Sequence, residues 1–317
     1  MTTLDEASLH VHLHTIQVHT LLCVLFALLT AGSNACAAVL QRKAAAQVPP
    51  ERAMHMSLLA DLVRRRTWLA GIGMVVVAAV AQAAALATGP IALVQPIFII
   101  ELPVTLVLAA LANHNTTALR QLPWTAIAVT TCALGAGLAI AQPSGAIDSA
   151  QDTSWIIALV ATAAFEAVLI IAATSTKGEP RAAILGLAAA CGYALTAALM
   201  KNAMADLNAG AVQFFTNWHV YATAGAGVGS LFLLQNALQA GSLVASQPML
   251  TVGDALISIS YGVTLYSEQL RAGWWLAPQV VALAAIILGC VQIAKSPLAA
   301  ETTGLATETP STVLLSP

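Results

Sequence analysis

Charge is scarce in this chain. Lys and Arg number 12 and Asp and Glu 14 in 317 residues, so 8% of positions are charged, against about 25% in an ordinary soluble domain. With 59% hydrophobic residues and a mean hydropathy of +0.83, a water-soluble globule is excluded, and no room remains for an appended soluble catalytic domain. The net charge of -2 leaves no overall basic field, which argues against nucleic acid as a partner. Cysteine is also sparse. Cys23, Cys36, Cys132, Cys191 and Cys290 all fall in apolar runs, none in a Cys-x-x-Cys pair, and they read as small packing residues. Residues 1–15 contain no Lys or Arg, so the basic region of a signal peptide is missing and the first apolar run is expected to stay in the mature protein. The apolar stretches are continuous instead of alternating, which excludes a transmembrane β-barrel. No Ser-His-Asp set or His-Glu-x-x-His sequence is visible, so neither an enzyme nor a cofactor is expected.

What the chain does have is apolar stretches of about 20 residues, the length that crosses a bilayer core of about 30 Å. Nine are expected, near 16–40, 67–88, 91–112, 122–141, 154–174, 181–200, 210–234, 240–265 and 272–294. The fold class is therefore all-α and polytopic, in the lipid bilayer of the plasma (inner) membrane. With the amino terminus outside, the cytoplasmic segments hold ten Lys or Arg and the outer loops only Lys201 and Arg271, which sets that orientation and a cytoplasmic carboxyl terminus. Residues 1–15 then form an extracytoplasmic tail, where His10, His12, His14 and His19 are read as solvated, and 296–317 form a disordered cytoplasmic tail. Trp68, Trp124, Trp155, Trp274 and Trp275 stand at span starts, as interfacial indoles do. Gly225 and Gly229, a small-xxx-small pair, and Gly135 and Gly137 are expected to let helices approach closely.

A repeat runs through these spans. Ala85, Leu86, Gly89, Gln95 and Pro96 recur 152 residues later as Ala237, Leu238, Gly241, Gln247 and Pro248. A looser match at offset 159 lays the first span on the sixth, from Leu28 on Leu187 to Arg42 on Lys201. Corresponding spans are five apart, so each crosses the membrane opposite to its counterpart. The expected organisation is a transporter domain over 16–295, with repeat A over 16–141, a linking helix at 154–174 and an inverted repeat B over 181–294. Inverted repeats belong to secondary transporters, where two bundles rock about a site near the midplane. Pro96 and Pro248 each interrupt a helix there and free carbonyls for that site, or merely kink the helix.

Gly32-Ser33-Asn34 in the first span, the G-x5-Q-P pattern and Tyr266-Ser267-Glu268 at the end of the eighth resemble the EamA-type drug/metabolite transporter superfamily. The resemblance covers most of residues 20–295. It implies two inverted halves of five helices, one of which this chain lacks in its first half. The Trp68 to Gly71 entry and the Gln41-Arg42-Lys43 exit are also similar to NIPA-type magnesium transporters, a branch of that superfamily. The family's glutamate maps to Glu268, preceded here by Ser267 where the family has glycine. Substrate class does not follow from the resemblance.

Three charged residues fall at span centres: Glu101, Glu166 and Asp254. An intramembrane carboxylate is costly and needs a polar setting or a proton. Glu101 and Asp254 lie on repeat-related spans, one residue out of register at offset 153, a discrepancy that a π-bulge or kink after the prolines would absorb. Gln247, Thr251, Asp254, Ser258 and Tyr261 form a polar stripe along one face of the eighth span. Glu101 with Thr105, Gln95, Asn34, and Asn217 on a ridge with Gln213 and Tyr221 complete the expected substrate and proton site. The alternative for each carboxylate is hydrogen-bonded glue between helices, and for Glu166 the two readings are even. The function expected is a secondary active transporter, a proton-coupled alternating-access carrier of a small organic metabolite or drug. A divalent-cation (magnesium) transporter and a non-transporting scaffold are the alternatives. Whether it works as a monomer or a homodimer stays open.

Overall fold

The structure is a computed structural model that describes residues 2–45, 65–112, 120, 122–144, 149–241 and 243–296. The described chain is all-helical. Its elements are α1 (Thr2–Ala45), α2 (Arg66–Thr88), α3 (Ile91–Ile97), α4 (Glu101–Ala112), α5 (Trp124–Ala141), α6 (Asp152–Thr174), α7 (Glu179–Ala209), α8 (Ala211–Thr216), α9 (His219–Ala240), α10 (Leu243–Leu265) and α11 (Leu276–Ala294). Eight helical stretches among the described residues are long and apolar enough to cross a membrane, and the apolar part of α9, His219–Leu234, is shorter. A helix closes its own backbone hydrogen bonds, which is why such runs adopt no other form in lipid. The chain is thus a polytopic membrane protein.

The expected spans recur within a few residues, with three corrections. The third span is not one helix. After Pro96 the chain tightens into a 3-10 turn, Phe98–Ile100, before α4 begins at Glu101. The sixth span does not stop near residue 200. It continues as α7 to Gly210, whose φ of 142° leaves the helical region. Lys201, read above as an outer-loop residue, is therefore inside a helix and buried. The seventh span breaks after Thr216, where Asn217 is extended at φ -76° and ψ 150°. Gln213 and Tyr221 consequently stand on different helices, and the expected ridge through Asn217 does not form. At the amino terminus α1 already begins at Thr2, and His19 is exposed. The side chains of His10, His12 and His14, the Arg64 position and the 296–317 tail beyond Ser296 lie outside the described residues.

Helix α7 is the centre of the bundle. It packs on α9, α10, α6, α8 and α2, and its run Ala188 to Gly192 is wholly buried. Small side chains make this possible, since without a hydrophobic drive between helices in lipid, close backbone approach and van der Waals contact hold a bundle together. A Cβ on Gly186 would meet the Ser246 backbone, and one on Gly253 would come 3.1 Å from the Ala190 Cβ. By contrast α6 turns most of its surface outward, with Ile157 72% exposed. Elsewhere α1 packs on α2 and α4, α10 on α3, and α5 on α11. A Cβ on Gly89 would come 2.8 Å from that of Cys23, and one on Gly241 3.0 Å from that of Ala182. A Cβ on Gly137 would lie 3.2 Å from Ala282, and one on Gly289 3.1 Å from the Thr130 Cβ. Gly225, Gly229 and Gly135 meet nothing within 4 Å, so they are not the close-approach glycines. Trp124, Trp274 and Trp275 are exposed at span starts, but Trp155 is buried in the protein and is no interfacial anchor.

Candidate functional site

Glu101 owes its place to the 3-10 turn. Such a turn rises about 2.0 Å per residue against about 1.5 Å in an α-helix, so three residues gain roughly 1.5 Å, the rise of one α-helical residue. Glu101 stands six residues past Gln95 across that turn, and Asp254 seven residues past Gln247 along the unbroken α10. The irregularity after Pro96 is thus a tightened turn and not a π-bulge.

Asn34 of α1 donates from Nδ2 to Glu101 Oε2 at 3.2 Å. Ser258, one turn on along α10, donates to Asp254 Oδ1 at 3.3 Å. Both carboxylates are half-buried. They lie within electrostatic reach of each other, and Tyr193 of α7, also half-buried, is within reach of both. Tyr193 was missed in the sequence. The signal was there: offset 159 lays Tyr193 on Asn34, the residue that donates to Glu101. Two carboxylates within electrostatic reach, with an amide and a phenol beside them, can hold a proton or a cation and release it when the packing around them shifts.

The other expected residues divide. Gln95 is buried, and its Nε2, like Ser33 Oγ, finds no hydrogen-bond partner among the described residues. Gln247 is half-buried. Thr105 and Thr251 return their hydroxyls to the carbonyls of Glu101 and Gln247 on their own helices. Tyr261 is bonded to Thr162 and ties α10 to α6. Pro96 is buried within α3 at the tightened turn, and Pro248 is buried within α10, which stays α-helical. Glu166 faces α7, its Oε1 3.3 Å from where a Cβ on Gly192 would stand. Asn217 leaves the group altogether, because its Nδ2 donates to Asp206 Oδ1 at 2.7 Å near one end of α7.

That end holds a second polar cluster. Glu268 accepts the backbone N–H groups of Ile91 at 2.7 Å and Ala92 at 2.9 Å, and Lys201 Nζ sits 3.4 Å from it while donating to the Gly89 carbonyl at 2.9 Å. The turn that delivers Glu268 is tight with serine at its bend: Ser267 adopts φ 54°, and the Glu268 N–H returns to the Gly262 carbonyl at 2.9 Å. Beside it, Asn202 Oδ1 accepts from the Ala150 N–H at 2.8 Å, and its Nδ2 lies 3.0 Å from His219 Nε2. His219 Nδ1 is 2.8 Å from Asp206 Oδ2.

No family model matches the chain, and no solved structure matches it. It is similar to an uncharacterized protein of Corynebacterium glutamicum, 27% identical over 273 residues, which are 84% of this chain and 93% of that protein. The coverage makes this a similarity of whole chains and not of a shared segment.

Proposed function

We propose that this protein is a secondary active transporter, a proton-coupled alternating-access carrier of a small organic metabolite or drug. The observation that carries the reading is the pair Glu101 and Asp254, brought from α4 and α10 into electrostatic reach, each with one polar companion. Two acids at mid-depth with so few donors gain from sharing a proton or a cationic group of a solute, and they exchange it when the bundle opens to the other side.

Support for two inverted halves comes from paired contacts. The contact of Gly137 with Ala282 becomes that of Gly289 with Thr130 when each residue is exchanged for its counterpart at offset 152. The contact of Cys23 with Gly89 becomes that of Ala182 with Gly241 under offsets 159 and 152. Helix α1 packs on α2 as α7 packs on α9. The proposed setting is the plasma membrane with the amino terminus outside, and α6 links the halves.

The test uses proteoliposomes holding a pH-sensitive dye and a panel of organic solutes added outside. A transported solute moves protons in the wild type. Glu101→Gln and Asp254→Asn each abolish that movement, a loss of at least about tenfold in rate. Solute flux at the wild-type rate in the double variant, or Mg²⁺ flux that needs neither acid nor a pH gradient, overturns the reading.

A further inference from the structure

In the second polar cluster a buried histidine, His219, is held between Asn202 and Asp206. The orientation of the Asn202 amide is set from outside: the Ala150 N–H is only a donor, so the atom it meets at 2.8 Å is the carbonyl oxygen of the side chain. The NH2 group must then be the atom that faces His219 Nε2 at 3.0 Å. An NH2 donates, so Nε2 carries the lone pair, and the ring proton is on Nδ1, donated to Asp206 at 2.8 Å. His219 is therefore neutral in this arrangement, and its tautomer is fixed by two partners on α7.

Adding a proton places N–H on Nε2 against the NH2 of Asn202, donor facing donor. The bond to Asp206 survives as an ion pair. The nearest acceptor for the new N–H is Asn202 Oδ1, and a half-turn of the amide supplies it. That half-turn swings Nδ2 toward two groups. Tyr266 takes it well, since its hydroxyl proton goes to the Ala198 carbonyl at 2.6 Å and its oxygen, 3.3 Å from the amide, has a lone pair to offer. Ala150 does not, because its N–H has nothing to accept with. We propose that His219 is a proton site distinct from the carboxylates of α4 and α10, and that its protonation rotates the Asn202 amide and releases the Ala150 N–H, freeing the segment that enters α6.

The surroundings confine the response to this path. From α7, Asp206 faces Nδ1 and Asn202 faces Nε2; from α6, Trp155 stacks 5.9 Å from the imidazole; Trp218, adjacent in the chain, is at 4.3 Å; and Asn217 holds the far oxygen of Asp206. Behind Asn202 the charged and titratable groups are Tyr266, Lys201 over its ring, and Glu268 paired with Lys201. His219 is buried, 6% exposed, so its protein neighbours are its nearest partners.

Hydrogen exchange read by mass spectrometry on the full chain in nanodiscs, at about pH 5 and about pH 7.5 and corrected for intrinsic exchange, tests this on the peptide that spans Ala150. In the wild type, exchange at Ala150 is roughly tenfold faster at the acid pH, the ratio one net hydrogen bond supports. His219→Gln, whose amide can donate to Asp206 and accept from Asn202, shows no pH difference. Asn202→Asp, with an acceptor oxygen on each side, keeps Ala150 protected at the acid pH. Equal corrected exchange at both pH values in the wild type overturns the proposal, as does an acid-induced loss of the same size in His219→Gln.

Discussion

Two polar groups in one bundle are built on opposite principles. At one end of α7, Glu268 accepts two backbone N–H groups and faces Lys201, whose Nζ also reaches a carbonyl, and both side chains are almost without exposed surface. On α4 and α10, Glu101 and Asp254 each have, among the described residues, one side-chain donor, at 3.2 and 3.3 Å. In a low-dielectric interior a charge surrounded by donors is locked in place, whereas one with a single donor keeps its proton affinity open to its surroundings. The first cluster therefore fixes the relative positions of α3, α7 and α10. The second holds its two acids with far fewer partners.

The sharpest way to break that contrast is to remove Glu268. Glu268→Ala leaves Lys201 buried without its counter-ion and orphans two N–H groups at the start of α3. A loss of about 3–5 kcal/mol is expected, read as a fall in thermal unfolding temperature in detergent. Adding Lys201→Met should restore a large part of it, because removing both charges leaves apolar volume where an unpaired ion stood. A milder break comes from Gly262. A Cβ there would collide with the Glu268 carboxylate, and Gly262→Ala is expected to cost about 1–3 kcal/mol by overpacking. Gly225→Ala, where nothing lies within 4 Å, should stay within about 0.5 kcal/mol in the same assay.

The spans and their order were legible because a bilayer demands about 20 apolar residues at a time, and that demand is written locally. The end cluster was not, because its charges are satisfied across the fold. Lys201 reads as the end of a span to any window that treats charge as a sign of water, and its partner is 67 residues away. The break at Asn217 hid for a related reason: Gln213, Asn217 and Tyr221 have helical spacing, and only Asp206 of another helix shows why the chain opens there. The small-xxx-small pair Gly225 and Gly229 has the right spacing but meets nothing within 4 Å among the described residues, while Gly186, Gly253 and Gly289 stand alone in the sequence and make the close contacts. Periodicity tells which residues share a face and not what that face meets. Glu101 and Asp254 were visible because charge is so rare here, and Tyr193 was recoverable by asking what stands 159 residues after Asn34.

The smallest expected effect is the most discriminating. Glu101→Gln and Asp254→Asn keep shape and a hydrogen-bonding head while removing an ionisable group from lipid depth. If these acids are held ready instead of built in, each substitution changes stability by less than about 1 kcal/mol, and the sign favours the variant, since burial of a charge no longer has to be offset. Asn34→Ala should likewise be mild, because the single donor it removes contributes about 1 kcal/mol net. Thermal unfolding of the three variants beside Glu268→Ala settles the contrast. Should Glu101→Gln fall as far as Glu268→Ala, Glu101 would be structural glue like Glu268, the two clusters would be one kind of thing, and the mid-depth acids would have no freedom left with which to carry a proton.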